Sequence, residues 1–443
     1  MQFLSSHYIA QNPVWRYIDF EKRVWQIVHQ FRQHKISSVA LWFEDGAKLA
    51  CTLLACWHAN VRAIFLPNLA EENLVWGKSL VDLWLTDTQF PLDDAVQFDC
   101  FATEYIEKII PDKSLMDFIS ETEFLLKTSG STGSPKIITK TAGQLWQNAQ
   151  ACAKTFGFTS DNSYTAISTV SIQHLYGLIC QIMMPLVLGW QIERKQQFFP
   201  EMVSSACKQA EKSVLITSPT MLCSIDWNRL KFPNLTAIVS AGGRLSEDVG
   251  ENIFTTTNVD VIDFYGTTEI GAIATKQRNQ HWKPMENVMI GVDDRSALWV
   301  EAPWAKGREQ TEDVICLHST YFEMLGRADR ILKLGDKRIS LLSVESALLQ
   351  HHWVEDIFVG KHPDFDRLVA WVALSESGMS VYHQSRKVLV TTLKQHLAHT
   401  QDKVAFPRFW RFTNKLPRNA QSKLSKIDFE NLCRSKKLDE FYV

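Results

Sequence analysis

At 443 residues, 45% of them hydrophobic and 22% charged, the chain is too long for one ordinary core and reads as a globular protein of two or three domains. A formal net charge of −2 gives no bulk attraction to nucleic acid or to a membrane surface, so neither is expected as a partner. Nine scattered cysteines form no CxxC pair and point to reduced, mostly buried thiols in a cytoplasmic protein.

The first stretch, MQFLSSHYIAQNPVW, has no basic segment followed by an apolar run and is not expected to act as a signal peptide. Val39–Phe43 reads as a strand, Lys48–His58 as a helix packed after it, and Val61–Leu66 as the next strand. Phe124–Leu126 predicts a buried strand and Ile137–Thr139 a short one. Thr141 and Gln144 then form a capping box ahead of a helix whose Leu145, Ala149, Cys152 and Phe156 share one face. Leu175–Trp190 is strongly apolar but carries Gln181 and Pro185, so it reads as a buried helix and not as a membrane span. Val214–Thr217, Leu235–Ser240 and Val259–Phe264 are apolar runs of the kind found in strands buried on both faces. Alternation of such strands with helices predicts an α/β fold with largely parallel sheets. Near residue 326 the charge density rises in GRADRILKLGDKR. About a hundred residues with their own pattern follow: strands at Ile357–Val359 and Leu368–Leu374, a helix at Val388–His399.

Between the strands at Phe124–Leu126 and Ile137–Thr139 stands TSGSTGSPK, residues 128–136. Its glycines permit close approach of a ligand to the backbone, and its hydroxyls and lysine suit an anion. A Walker loop requires GxxxxGK[ST] opening directly into a helix; here Gly130 and Gly133 are too close together and Pro135 precedes the lysine. A flexible Ser/Gly linker would not be expected to follow a buried strand and end in Pro-Lys.

The nine residues resemble the phosphate loop of the adenylate-forming superfamily: acyl-CoA synthetases, adenylation domains and beetle luciferases. Other segments resemble that family in the same order. DFYGTTE, Asp263–Glu269, is similar to its Y-G-x-T-E element, and VSAGGRL, Val239–Leu245, to the turn that holds adenine. SIQHLYGL, with His174 and Tyr176, resembles the helix start beside the acyl pocket. TED, ending in Asp313, resembles the T-G-D element, and LPRNAQSKLSK resembles L-P-R-T-x-x-G-K-x-x-R. Taken singly, His174 would pass for a core histidine and Lys423 for a solvated charge. In this order, across residues 39 to 426, the set is specific.

The resemblance implies a large N-terminal domain of layered sheets and helices, residues 1–326, a hinge at 327–330 around Asp329, and a small mobile α+β lid, residues 331–443. It implies ATP-dependent activation of a fatty or aromatic carboxylic acid to an acyl-AMP, with ATP and Mg2+, then transfer to the thiol of CoA or to the pantetheine of an acyl carrier protein. By the same resemblance Thr128, Ser129, Gly130, Ser131, Thr132, Gly133 and Lys136 hold phosphates. Gly242, Gly243, Arg244, Asp263, Phe264, Tyr265, Gly266 and Thr267 border the nucleotide. Asp313 and Arg327 take the ribose. Thr268 binds the α-phosphate, Glu269 holds the metal, and Lys423 bridges acid and α-phosphate. Lys333 faces the site in a second lid state. His174, Tyr176 and Ala241 border the acyl pocket.

Three departures stand out. Gly335 comes one place early, with Asp336 at the usual glycine position; Ser422 replaces the glycine before Lys423; Glu312 replaces the glycine before Asp313. The first makes CoA use less certain than adenylation. The N-terminal subdomain reads as trimmed for the superfamily, reminiscent of compact bacterial acid ligases found beside fatty-acid and aryl-polyene synthesis enzymes. A nucleotide- or acyl-binding protein without turnover, or a luciferase-like oxygenase, would carry the same motifs. The acid itself is not legible.

Overall fold

A computed structural model describes residues 7–101, 113–128, 136–334, 337–418, 424–435 and 439. The chain forms two compact units. The first comprises Met1–Gly291, Trp299–Glu309 and His318–Phe322; the second comprises Val292–Leu298, Gln310–Leu317 and Glu323–Val443.

The first unit contains two large sheets. A six-stranded sheet runs in the order Val96–Gln97, Leu83–Thr86, Ser38–Trp42, Arg62–Phe65, Glu123–Thr128, Lys136–Thr141, parallel except for the last pair. The nine-stranded sheet centres on Tyr164–Ser168, Lys212–Thr217, Leu235–Ala241 and Val261–Thr267, all mutually parallel, with Gly271–Lys276 returning antiparallel. Val214–Thr217 is buried residue after residue, as a strand covered on both faces requires. The helices Gly46–Ala59, buried over most of its length, and Ala142–Thr155 share one apolar core with residues of both sheets.

The capping box is present: Gln144 N–H donates to Thr141 Oγ1 and the Gln144 side chain returns to Thr141 N–H. Six of the nine cysteines are buried and all are free. The apolar run from Leu175 differs from the single helix expected. It is helical at Leu175–Gly177, widens to a π-helix over Leu178–Met183, and resumes at Met184–Leu188 before Gly189 ends it at φ +72°. Pro185 has no N–H to give to Gln181, and the wider π spacing accommodates its ring. Among the described residues no helix is long and apolar enough to cross a membrane.

In the second unit the strand Leu368–Leu374 is buried along its whole length between Val354–Lys361 and Phe409–Thr413. Alternate residues face opposite ways. Leu368, Ala370, Val372 and Leu374 pack with the helices Leu341–Leu349 and Arg386–Leu397. Val369, Trp371 and Ala373 pack with Phe429, Leu432 and Cys433 of the helix Lys426–Arg434. The strands Ile331–Leu334 and Lys337–Ser340 pair antiparallel, with Lys333 opposite Arg338.

Candidate active site

The two feet of the opening loop are the last pair of a continuous antiparallel ladder, from Glu123 opposite Thr141 to Thr128 opposite Lys136. Thr128 Oγ1 lies 3.5 Å from the Lys136 carbonyl oxygen, and the Lys136 side chain is exposed. Ser129, Gly130, Ser131, Thr132 and Gly133 lie outside the described residues.

Three further candidate segments sit at the carboxyl ends of neighbouring parallel strands, where open α/β sheets place ligands. Leu235–Ala241 ends in buried Ala241, and the chain turns through Gly242 at φ +87° to exposed Gly243 and Arg244. Val261–Thr267, paired so that Ala241 faces Phe264, carries Asp263, Phe264, Tyr265, Gly266 and Thr267. Thr268 and Glu269 follow at half-buried positions in the turn, and Ile270 N–H donates to Thr267 Oγ1 at 3.2 Å. The turn needs glycine at both ends: a Cβ on Gly266 would meet the Gly271 carbonyl oxygen at 2.4 Å, and Gly271 itself adopts φ +100°.

Asp263 is buried 4.0 Å from Lys276, and burial pushes its carboxyl up to about 6 against the pull of that lysine. The Tyr176 ring stacks on Phe264 at 5.5 Å, and its hydroxyl lies between the carbonyl oxygens of Val239, 2.9 Å, and Thr217, 3.2 Å. Burial holds that phenol well above its usual range. Half-buried His174 stands at the N-cap position of the short helix that bears Tyr176, without a capping bond from its side chain. Tyr176, Ala241 and Phe264 thus meet at one strand end.

The second unit holds its own group. In TED, Thr311 Oγ1 donates to the Leu298 carbonyl at 2.8 Å and accepts the Asp313 N–H at 3.1 Å, so the hydroxyl fixes the backbone ahead of the carboxylate. Asp313 is buried, with Arg327 Nη1 3.8 Å away. Glu312 points to Arg295 at 3.4 Å. Asp329 falls in a single 3-10 turn, Ala328–Arg330, and the neighbouring Arg330 is anchored on buried Glu345. The Lys333 side chain is exposed. Gly335, Asp336, Ser422 and Lys423 lie outside the described residues; Arg418, the last described residue before Lys423, grips Asp356 with Nε at 2.6 Å and Nη2 at 2.8 Å.

Sequence reading missed the residues behind the Glu269 turn: Lys140, Asn148 and Trp304, all buried and all bonded to residues 270–272. The sequence carried no signal for them, since the short strand read from it, Ile137–Thr139, stops before Lys140.

The chain matches two family models, the AMP-binding enzyme over residues 119–295 and the AMP-binding enzyme C-terminal domain over residues 343–423. It is 24% identical over 346 residues to a benzoate–CoA ligase of Thauera aromatica, covering 69% of this chain and 64% of the relative. It is also 24% identical over 350 residues to human mitochondrial acyl-coenzyme A synthetase ACSM2A, covering 68% of this chain and 59% of the relative. The chain therefore spans less than two thirds of the length of these curated relatives. Its fold is like that of o-succinylbenzoate CoA synthetase (MenE) from Bacillus subtilis in complex with the acyl-adenylate intermediate OSB-AMP. That match has a TM-score of 0.79 at 20% identity and covers 98% of this chain and 96% of the other. The same synthetase in complex with ATP and magnesium ion also gives 0.79 at 20% identity, covering 95% of each chain. The family this chain resembles is thus that of the AMP-binding enzymes, whose two models match it in order, over residues 119–295 and then 343–423.

Proposed function

We propose that the protein activates a carboxylic acid with ATP, releasing pyrophosphate and forming an acyl-AMP, and then transfers the acyl group to the thiol of CoA. The observation that carries this reading is the gathering of the Gly242 turn and the Thr268–Glu269 turn at adjacent parallel strand ends, in a unit that also holds both paired feet of the phosphate loop. The activities named for the benzoate–CoA ligase and ACSM2A support it, as do the bound acyl-adenylate, ATP and magnesium in the synthetase structures.

A carboxylate acylates poorly because its leaving group would be oxide; AMP leaves readily. The reaction sets an anionic acid against an anionic triphosphate, so positioned positive charge and N–H donors dominate the barrier. Thr128, Ser129, Gly130, Ser131, Thr132, Gly133 and Lys136 would hold the β- and γ-phosphates, and Thr268 the α-phosphate. Arg244 and the flanking glycines would line the base, and Asp313 with Arg327 would take the ribose. Glu269 is a single, partly exposed carboxylate, and among the described residues no three ligating side chains cluster. That suits Mg2+, which takes few protein carboxylates when phosphate oxygens complete its shell. Bound there, it would neutralise phosphate charge. Lys423 would bridge the acid and the α-phosphate as a compact cation. Residues 331–443 would act as a lid turning at Asp329, bringing Lys423 over the site for the first half-reaction and Lys333 for the second.

Pyrophosphate exchange with a panel of fatty and aromatic acids tests the reading. Lys423→Ala should abolish adenylate formation and leave thiol transfer from supplied acyl-AMP largely intact; equal loss of both would sink the two-state lid. A second reading takes the pantetheine of an acyl carrier protein as acceptor. Lys333, Lys337, Arg338 and the basic RSKK run starting at Arg434 suit an acidic carrier protein, and acceptor assays with CoA and a carrier protein bearing a free pantetheine thiol decide between them.

A further inference from the structure

The strand Lys136–Thr141 breaks the hydrophobic pattern at one place. Ile137 on it is 52% exposed, whereas the residue withdrawn most from solvent is Lys140, at 4%. Burying an ammonium without a carboxylate in contact costs several kcal/mol of hydration. A folded chain keeps such a violation where another demand overrides packing.

The contacts of Lys140 show the demand. Its Nζ donates to the Ile270 carbonyl at 3.1 Å and to the Trp304 carbonyl at 3.3 Å. Ile270 directly follows Glu269. Two residues on, Ala272 is held from both sides: its N–H donates to Asn148 Oδ1 at 3.2 Å, and its carbonyl accepts from Trp304 Nε1 at 3.0 Å. Gly271 between them leaves no room for error, since a Cβ there would meet Asn148 Oδ1 at 2.6 Å. Three separate elements therefore converge on the segment that ends the Thr268–Glu269 turn. The ammonium is faced by the carboxylates of Glu309 and Glu269, while burial draws its pKa down to about 8. At its other end the same strand carries Lys136, the foot of the phosphate loop.

We propose that Lys140 is a positioning residue of the adenylation site: it clamps the turn bearing Thr268 and Glu269 and, through its own strand, ties that turn to the base of the phosphate loop. This rests on the reading of Glu269 as the carboxylate that meets the nucleotide-bound metal. Lys140 acts through the Ile270 carbonyl and touches neither nucleotide nor acid.

The test compares the full chain with Lys140→Met, which keeps the volume and removes the donor, and with Lys140→Gln, which keeps a donor without charge. Two readouts are taken: deuterium exchange of residues 266–272, and retention of Mn2+ in the presence of ATP by electron paramagnetic resonance. Lys140→Met should speed exchange in the turn selectively and weaken Mn2+ retention roughly 10- to 100-fold, the range for residues that orient a metal ligand. Lys140→Gln should recover part of both. A Lys140→Met protein with a lower melting temperature but unchanged turn exchange and Mn2+ retention would show a purely structural lysine and overturn the proposal. If Lys140→Met does not fold, the same comparison on Lys140→Gln decides. A wild-type chain that retains no Mn2+ with ATP would count against the adenylation reading instead, and the turn's response to Lys140→Met would still report on the clamp.

Discussion

The Tyr176 hydroxyl lies 2.9 Å from the Val239 carbonyl oxygen and 3.2 Å from that of Thr217, so one side chain at a helix start spans two parallel strands near their carboxyl ends. One proton is shared between two acceptors, and the ring is stacked on Phe264 of the third strand. Tyr176→Phe keeps the stacking and leaves both carbonyls short of a donor. It should cost about 1–2 kcal/mol in urea unfolding, with the Michaelis constant for acid altered more than that for ATP. A variant as stable as wild type would show that neither carbonyl depends on the phenol.

Asp263 gives a pH signature. Burial outweighs the pull of Lys276 and pushes the Asp263 carboxyl up from an ordinary 3.8 to about 6. A raised folded pKa means that the folded state holds the proton more tightly. Stability from this group is therefore full below pH 3.8 and is lost as pH rises through 6. Asp263→Asn removes the penalty for the buried charge. Its stability relative to wild type should climb across that window by about 3 kcal/mol and level off above it. Urea melts from pH 4 upward measure the difference, and a flat profile would refute the assignment.

Gly271 and Gly157 form a matched pair. Both have positive φ, +100° and +73°, but a Cβ at Gly157 meets nothing within 4 Å, whereas at Gly271 it strikes Asn148. Gly157→Ala should cost about 1 kcal/mol, the left-handed penalty alone. Gly271→Ala should cost at least about 3 kcal/mol and lower pyrophosphate exchange with it, since steric strain adds to backbone strain. Equal costs would mean that the turn relaxes freely.

Arg330, next to Asp329, is bonded to Glu345, whose Oε1 also accepts the Val359 N–H at 2.6 Å. Burial raises the Glu345 carboxyl despite the arginine. Arg330→Ala should destabilise the second unit by about 3 kcal/mol, because it strands a buried charge. Adding Glu345→Gln should restore much of the loss. Deuterium exchange over Val354–Lys361 follows both changes.

Local chemistry was the most legible part of the sequence. Thr141 and Gln144 announce a helix start because a capping box is satisfied within four residues. The apolar runs around Val214, Leu235 and Val261 announce buried parallel strands because burial on both faces leaves no alternation. The Leu175 helix was legible as apolar but not in its π segment, where Pro185 acts through hydrogen-bond spacing. Lys140 was illegible for another reason. Its partners, Ile270 and Trp304, are far away in sequence, and a lysine on a short strand reads as solvated until tertiary contacts show which way it faces. Thr128, Lys136 and Glu269 stand as candidates only through resemblance and order along the chain; neither composition nor periodicity marks them.

The ladder from Glu123–Thr141 to Thr128–Lys136 works as a gauge for the whole region. Side chains alternate with a period of two, so inserting one residue into Lys136–Thr141 would turn Thr139 or Thr141 inward in place of Lys140. The same insertion placed among residues 129–135 would lengthen only the span between two fixed posts. The inward place of Lys140 should therefore survive a length change ahead of Lys136 and be lost to one between Lys136 and Lys140.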